Sequence, residues 1–163
     1  MTISMFRSLH TLLLVMILGL SFAVTQADEP QAGGNSKTSG PQLQTVSISL
    51  NRVTMRAVVA DSDPSRRRGL LGWDTITDDL GMLLDFVAPG QYAIHMQGMK
   101  FPIDAIWIDA SGNIQVIYEE IPPNSGQIYP SMFPCRYCLE VKAGFCKRNR
   151  IKMGQKVKFI FPE

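Results

Sequence analysis

Histidine is nearly missing from this chain: its 163 residues include two, His10 and His95. Acid–base pairs and zinc sites draw heavily on that residue, so most such constellations have no raw material here. Cysteine is scarce as well, and three is an odd number that cannot pair entirely within one chain. A dominant charge is absent, since 16 basic and 14 acidic residues leave a net charge of +2. That balance argues against a dedicated nucleic-acid binder. No glycine-rich phosphate loop, βαβ rhythm or internal repeat is present, which removes the common nucleotide folds and the solenoids. No apolar run reaches the roughly 18 residues that a comfortable membrane-spanning helix wants.

What is present begins with an address. Arg7 and His10 precede an apolar run from Leu12 to Val24, and Thr25-Gln26-Ala27 follows. A positive start, a short apolar stretch and small residues describe a secretory signal peptide over residues 1–27, cut after Ala27. If it were retained, the same segment would anchor the domain at a membrane. Residues 28–42 are rich in Gly, Pro, Ser and Gln and cannot bury enough surface to offset chain entropy. They are expected to form a flexible leader. A single β-rich domain should then occupy residues 43–163, exported to the periplasm or beyond.

Within it, Val46, Ile48 and Leu50 alternate with Ser47, Ser49 and Asn51, the period of a half-buried strand. Val53–Val59 reads as its partner. Asp63-Pro64 offers a helix cap and a first-turn proline, so a short helix should run through the three arginines to Gly72. Strands are expected at Met82–Phe86, Tyr92–Met96, Ile103–Ile108, Ile114–Tyr118, Tyr137–Val141 and Val157–Phe161. Pro89-Gly90 and Asp109–Gly112 supply turns, Ile121–Pro134 a loop, and Ala143–Arg150 a second short helix. The expected fold is mainly β (α+β): a compact, barrel-like or strongly curved antiparallel sheet with two short helices.

Five motifs in order resemble the family catalogued as domain of unknown function 192. They are RRRGLLGW (66–73), DDLGMLLDF (78–86), HMQGMKFPIDAIWID (95–109), RYCLEVKAG (136–144) and IKMGQKVKFIF (151–161). The resemblance covers Val53 to Phe161 and implies a small β-rich prokaryotic domain, often exported, with no activity to carry over. The chain departs from the family at Trp73, where a basic residue is usual. It departs again at His95-Met96-Gln97-Gly98-Met99, where tryptophan, methionine, lysine, asparagine and threonine are usual. Only Met96 survives in that run, while Pro102, Ile103 and Asp104 keep the pattern.

The densest polar group near apolar strands is His95, Gln97, Lys100 and Asp104, with Trp73 beside a motif. On an extended strand His95 and Gln97 face the same side. They are the candidate ligand-binding residues, and the rewritten motif suggests a ligand of this chain's own. Arg68, Asp104 and Glu140 are expected to be structural, because a carboxylate among apolar residues needs an ion pair or backbone hydrogen bonds. Cys135 and Cys138 have the redox dithiol spacing but lack the helix start that stabilises a thiolate. On a strand they should face opposite sides, too far apart to bond. A zinc site from the three cysteines and His95 lacks a second close-spaced pair. Buried thiols, or a disulfide from Cys146, fit better. Met82, Met96, Met99, Met132 and Trp107 could line a soft groove, though methionine more often fills a core.

These residues point to an exported, envelope-associated binding or interaction domain, monomeric, with neither cofactor nor metal. No nucleophile stands beside His95, so catalysis is not expected. The alternatives are a small hydrolase or transferase using His95 with a carboxylate, or a cysteine-based metal or redox site. Basic residues from Lys142 to Lys158 could draw the domain to an anionic surface.

Overall fold

The computed structural model describes residues 44–161. The expected signal peptide (1–27) and leader (28–42) lie outside the described residues.

Among the described residues, nine strands and two short helices follow one another. They are β1 (Thr45–Leu50), β2 (Val53–Ala60), α1 (Asp63–Arg68), β3 (Leu80–Gly90), β4 (Ala93–His95) and β5 (Ile103–Ile108). Then come β6 (Ile114–Ile121), β7 (Ile128–Pro130), β8 (Cys135–Lys142), α2 (Phe145–Asn149) and β9 (Val157–Ile160). Seven strands make one sheet in the order β6-β5-β8-β3-β2-β1-β9, and β4 pairs with β7 as a separate ribbon. All pairings in the large sheet are antiparallel except β2 with β3, which α1 connects. The sheet curls until its two edges meet at one end. There Asn113 bridges Lys156, Ile114 donates its amide to the Gln155 carbonyl, and Val157 donates to that of Gly112.

Curling creates an inside and an outside, and both are apolar. The inner core takes Ile48 and Leu50 from β1, Leu83 from β3, Ile106 and Ile108 from β5, Leu139 from β8, and Phe145 from α2. The outer core takes Met82 and Leu84 from β3, Ala105 and Trp107 from β5, and Cys138 from β8. Leu70, Ile76, Ile94, Met96 and Met99 cover it from above. Every residue of β5 is buried, which explains its apolar reading on both faces. Burying one such large side chain contributes about 1.5–3 kcal/mol.

Close sheet contacts constrain β3. A β-carbon on Gly81 would stand 2.7 Å from the Glu140 carbonyl oxygen and 2.9 Å from Met55 Cε, so no side chain fits there.

Boundaries moved where local signals competed. The cap of α1 is Ser62, not Asp63: the Ser62 hydroxyl accepts the Ser65 amide while Ser65 reciprocates, a capping box. The helix stops at Gly69, three residues before Gly72, because Gly69 takes a φ of 47° and Leu70 turns down into the outer core. The strand expected to stop at Phe86 runs on through a bulge between Asp85 and Gly90, so Pro89-Gly90 forms the last two residues of β3. The proline-rich segment 121–134 contains β7, which pairs with β4.

Candidate functional site

A cleft of about 510 Å³ opens between α1 and β4 on the outer face of the sheet. One wall is basic, formed by Arg66, Arg67 and Arg68. The other is formed by Tyr92, His95 and Gln97, and the floor includes Leu84, Phe86 and Glu140. A second recess of about 460 Å³, lined by residues Asn124 to Ile128, lies on the far side of His95 and Gln97. Those two side chains are the ridge between the depressions.

The walls are built locally. In β4, Ile94 points into the core and His95 points out. Gln97 follows on an exposed turn whose neighbours Met96 and Met99 are buried as anchors. Asn124 holds that turn, its Oδ1 accepting the Gly98 amide at 2.9 Å and its own amide reaching the Met96 carbonyl at 3.0 Å. His95 Nδ1 accepts the Gln97 amide at 3.3 Å. Phe86 stacks on Tyr92 with ring centroids 4.0 Å apart.

The three arginines differ. Arg66 is committed: it donates to the carbonyls of Asp61 and Asp85, pairs with Asp63 and lies over the Phe86 ring. Arg67 and Arg68 are exposed, and among the described residues neither makes an ion pair.

Glu140 lies across from Met82 of β3 and Ala105 of β5, facing the outer core. It is 7% exposed, and its Oε2 has no hydrogen-bond partner among the described residues. Burial pushes its carboxyl up to about 7, because an unpaired charge away from water is costly. Trp107 Nε1, in the same outer core, is likewise buried without a partner among the described residues.

The sequence candidates separate on this frame. His95 and Gln97 come together on the ridge. Lys100 is outside both depressions and pairs with Asp74 at 2.6 Å. Trp73 packs half-buried against the outer core. Asp104 is not brought to His95: it is fully buried on the inner side of β5. Its Oδ1 accepts the amides of Glu120 and Gly144, and its Oδ2 that of Cys146, all at 2.7–2.9 Å. Arg68 and Glu140 both line the cleft, and among the described residues neither makes an ion pair, one of the two arrangements expected of them.

The cysteines are all free and buried. Cys135 and Cys138 share the outer core rather than facing opposite sides; Cys135 pairs with Gly90, beyond the bulge in β3. Cys146 belongs to the inner core, so the sheet separates it from both. Desolvation raises the Cys135 thiol to about 11 and pushes those of Cys138 and Cys146 up as well. Such thiols stay protonated and unreactive at neutral pH. His95 is exposed and does not join them. Among the described residues, Asp104, Glu119 and Cys146 form a set close enough for a metal ion. Both Asp104 oxygens there already accept backbone amides, so the donor set does not fit one. Met82, Met96, Met99 and Trp107 fill the outer core, and Met132 stands exposed away from them.

Sequence reasoning missed Asp85 and Arg136, which form two hydrogen bonds at 3.0 Å. The polar Asp85 closing the apolar run from Met82 was the available signal.

Lys142, Lys147, Arg148, Arg150, Lys152, Lys156 and Lys158 are all exposed, and Arg148 pairs with Asp78. Among the described residues, no helix is long and apolar enough to cross a membrane.

The profile of DUF192, described as "Uncharacterized ACR", matches residues 45–159. Among solved structures, a protein from Sinorhizobium meliloti 1021, described provisionally as a transcription regulator, is 26% identical with a TM-score of 0.70. The match covers 72% of this chain and 95% of that one. A protein of unknown function from Novosphingobium aromaticivorans DSM 12444 is 23% identical with a TM-score of 0.68, covering 83% of this chain and 94% of that one. No curated protein matches the chain.

Proposed function

The chain belongs to the family called domain of unknown function 192, and from that premise we propose an exported, envelope-associated domain that binds a small anionic ligand. The observation that carries this reading is the cleft, in which exposed Arg67 and Arg68 lack carboxylate partners among the described residues and face a ridge of His95 and Gln97. Its size falls within the range of small-molecule sites, about 300–1,000 Å³. Export rests on the apolar segment 12–24 and the small residues to Ala27. The exposed lysines and arginines of residues 142–158 add long-range attraction to an anionic surface, which raises encounter rates rather than selectivity.

The test has two arms. Full-length protein made in a bacterial host should appear in the periplasmic fraction with a mass lacking residues 1–27. An uncleaved cytoplasmic product would overturn export. Titration of the purified domain with inorganic phosphate should shift the NMR signals of Arg67, Arg68, His95 and Gln97. An unmoved spectrum at millimolar phosphate would overturn the binding reading.

One observation favours a second reading, acid–base catalysis by His95 with a carboxylate. Glu140, held near neutral pH, lines the same cleft as His95. A His95→Ala variant that keeps full turnover of any substrate found would dismiss it.

A further inference from the structure

The cleft is polar in a graded way. Its rim carries the guanidinium groups of Arg67 and Arg68, while its floor holds a carboxylate more than nine-tenths buried. These opposite charges are close enough to share one cavity yet form no ion pair, since among the described residues no basic nitrogen comes within 4.0 Å of Glu140. Buried carboxylates are ordinarily satisfied by the protein, and one that is not calls for a partner from outside.

Nothing on the neighbouring elements supplies that partner. Across from Glu140 stand Met82 and Ala105, both uncharged. Along its own strand the flanking side chains on this face are Cys138, a protonated thiol, and Lys142, which is exposed and, among the described residues, makes no ion pair. Besides Glu140 itself, the charged and titratable groups facing the cleft are Asp63, Arg66, Arg67 and Arg68 from α1, Tyr92, and His95 from β4. Arg66 is already occupied by Asp61, Asp63 and Asp85. Above the carboxylate lies Gly69, whose missing β-carbon would sit 3.7 Å from Glu140 Oε2. Its φ of 47° with ψ of −131° is a conformation for glycine, so the approach to Glu140 stays free of a side chain.

We propose that the ligand is a small zwitterion, its ammonium group received by Glu140 beneath Gly69 and its anionic group held by Arg67 and Arg68 at the rim. This rests on the reading of the cleft as an anion-binding site. A ligand ammonium gives Glu140 the donor it lacks and converts an isolated buried carboxyl into one half of an ion pair. The Phe86 and Tyr92 rings beside the floor suit the alkyl link between the two charges.

The experiment is a calorimetric titration at pH 7.5 with paired probes: aminoalkyl phosphates of two, three and four carbons, each against the alkyl phosphate lacking the amine. At the best-fitting length, the amine should tighten binding about tenfold or more. Glu140→Gln and Glu140→Met should each collapse that ratio toward one. Two variants are used so that a folding defect in either leaves the other to report. Alkyl phosphates that bind with no gain from the amine would overturn the zwitterion and leave the anion site standing. A gain that survives both substitutions would overturn the role of Glu140. If no phosphate of either kind binds, the anion-site reading fails and this inference fails with it.

Discussion

Asp104 holds the first turn of α2 through Cys146: the two are 42 positions apart, and the buried carboxylate accepts the Cys146 amide at 2.8 Å. With the amides of Gly144 and Glu120 also bound, one side chain ties β5 to the start of α2 and to the end of β6. Asp104→Asn keeps the size but turns one acceptor into a donor facing an amide hydrogen. The expected cost is about 3 kcal/mol, read as a lower urea midpoint. A loss under about 1 kcal/mol would mean the three bonds are not stabilising the fold.

Glu140 makes stability depend on pH. Its carboxyl rises from 4.5 to about 7 on folding, so between those values the native chain keeps a proton that the unfolded chain has released. The associated stability is whole below the lower value and is lost as pH climbs through the upper one, by on the order of 3 kcal/mol. Glu140→Gln should therefore match the wild type in urea midpoint at pH 5 and exceed it at pH 8. Equal midpoints at both values would contradict the buried, unpaired carboxyl.

Thiol accessibility offers a simple count. All three cysteines are buried with raised thiol pKa values. Native protein at pH 8 should resist iodoacetamide, while protein in guanidinium should take three labels. Fast modification of the native protein would reveal an opening of the sheet that these positions exclude.

The bulge after Asp85 carries strain that can be relieved. Val87 is exposed, β-branched and left-handed at φ 69°, and its amide is held by Asp85 Oδ1 at 2.8 Å. Val87→Gly should gain about 0.5–1 kcal/mol in thermal or urea unfolding. Asp85→Asn should lose about 1–2 kcal/mol, because it weakens both that bond and the paired contact with Arg136. A destabilised Val87→Gly would show that no strain is stored there.

Much of the sheet was legible because its signals are short-range. The alternation at Val46, Ile48 and Leu50 and the unbroken run of β5 both translate directly into strands with one or two buried faces. The parallel β2–β3 pair was not legible, since it depends on α1 crossing between two strands whose own patterns carry no direction. The candidate site divides in the same way. His95 and Gln97 were paired by strand spacing, whereas β4 ends at His95 and it is the turn after it that brings Gln97 to the same ridge. Glu140 was recognised as a carboxylate in apolar surroundings, yet its place in a cleft depends on where α1 lies. The helix ended at Gly69 rather than Gly72, and that puts the arginines above β8. The place of Cys135 in the outer core, opposite Gly90 and beyond the β3 bulge, is not contained in period-two reasoning.

The pairing of β1 with β9 joins the first strand of the domain to its last. A chain emerging stepwise from a ribosome or a translocation channel therefore cannot complete the sheet until Val157–Ile160 is free to dock beside Ser47–Leu50. Until then one edge of β1 offers open hydrogen-bonding groups to any passing strand. A chain cut short before Val157 therefore leaves that edge of β1 unpaired.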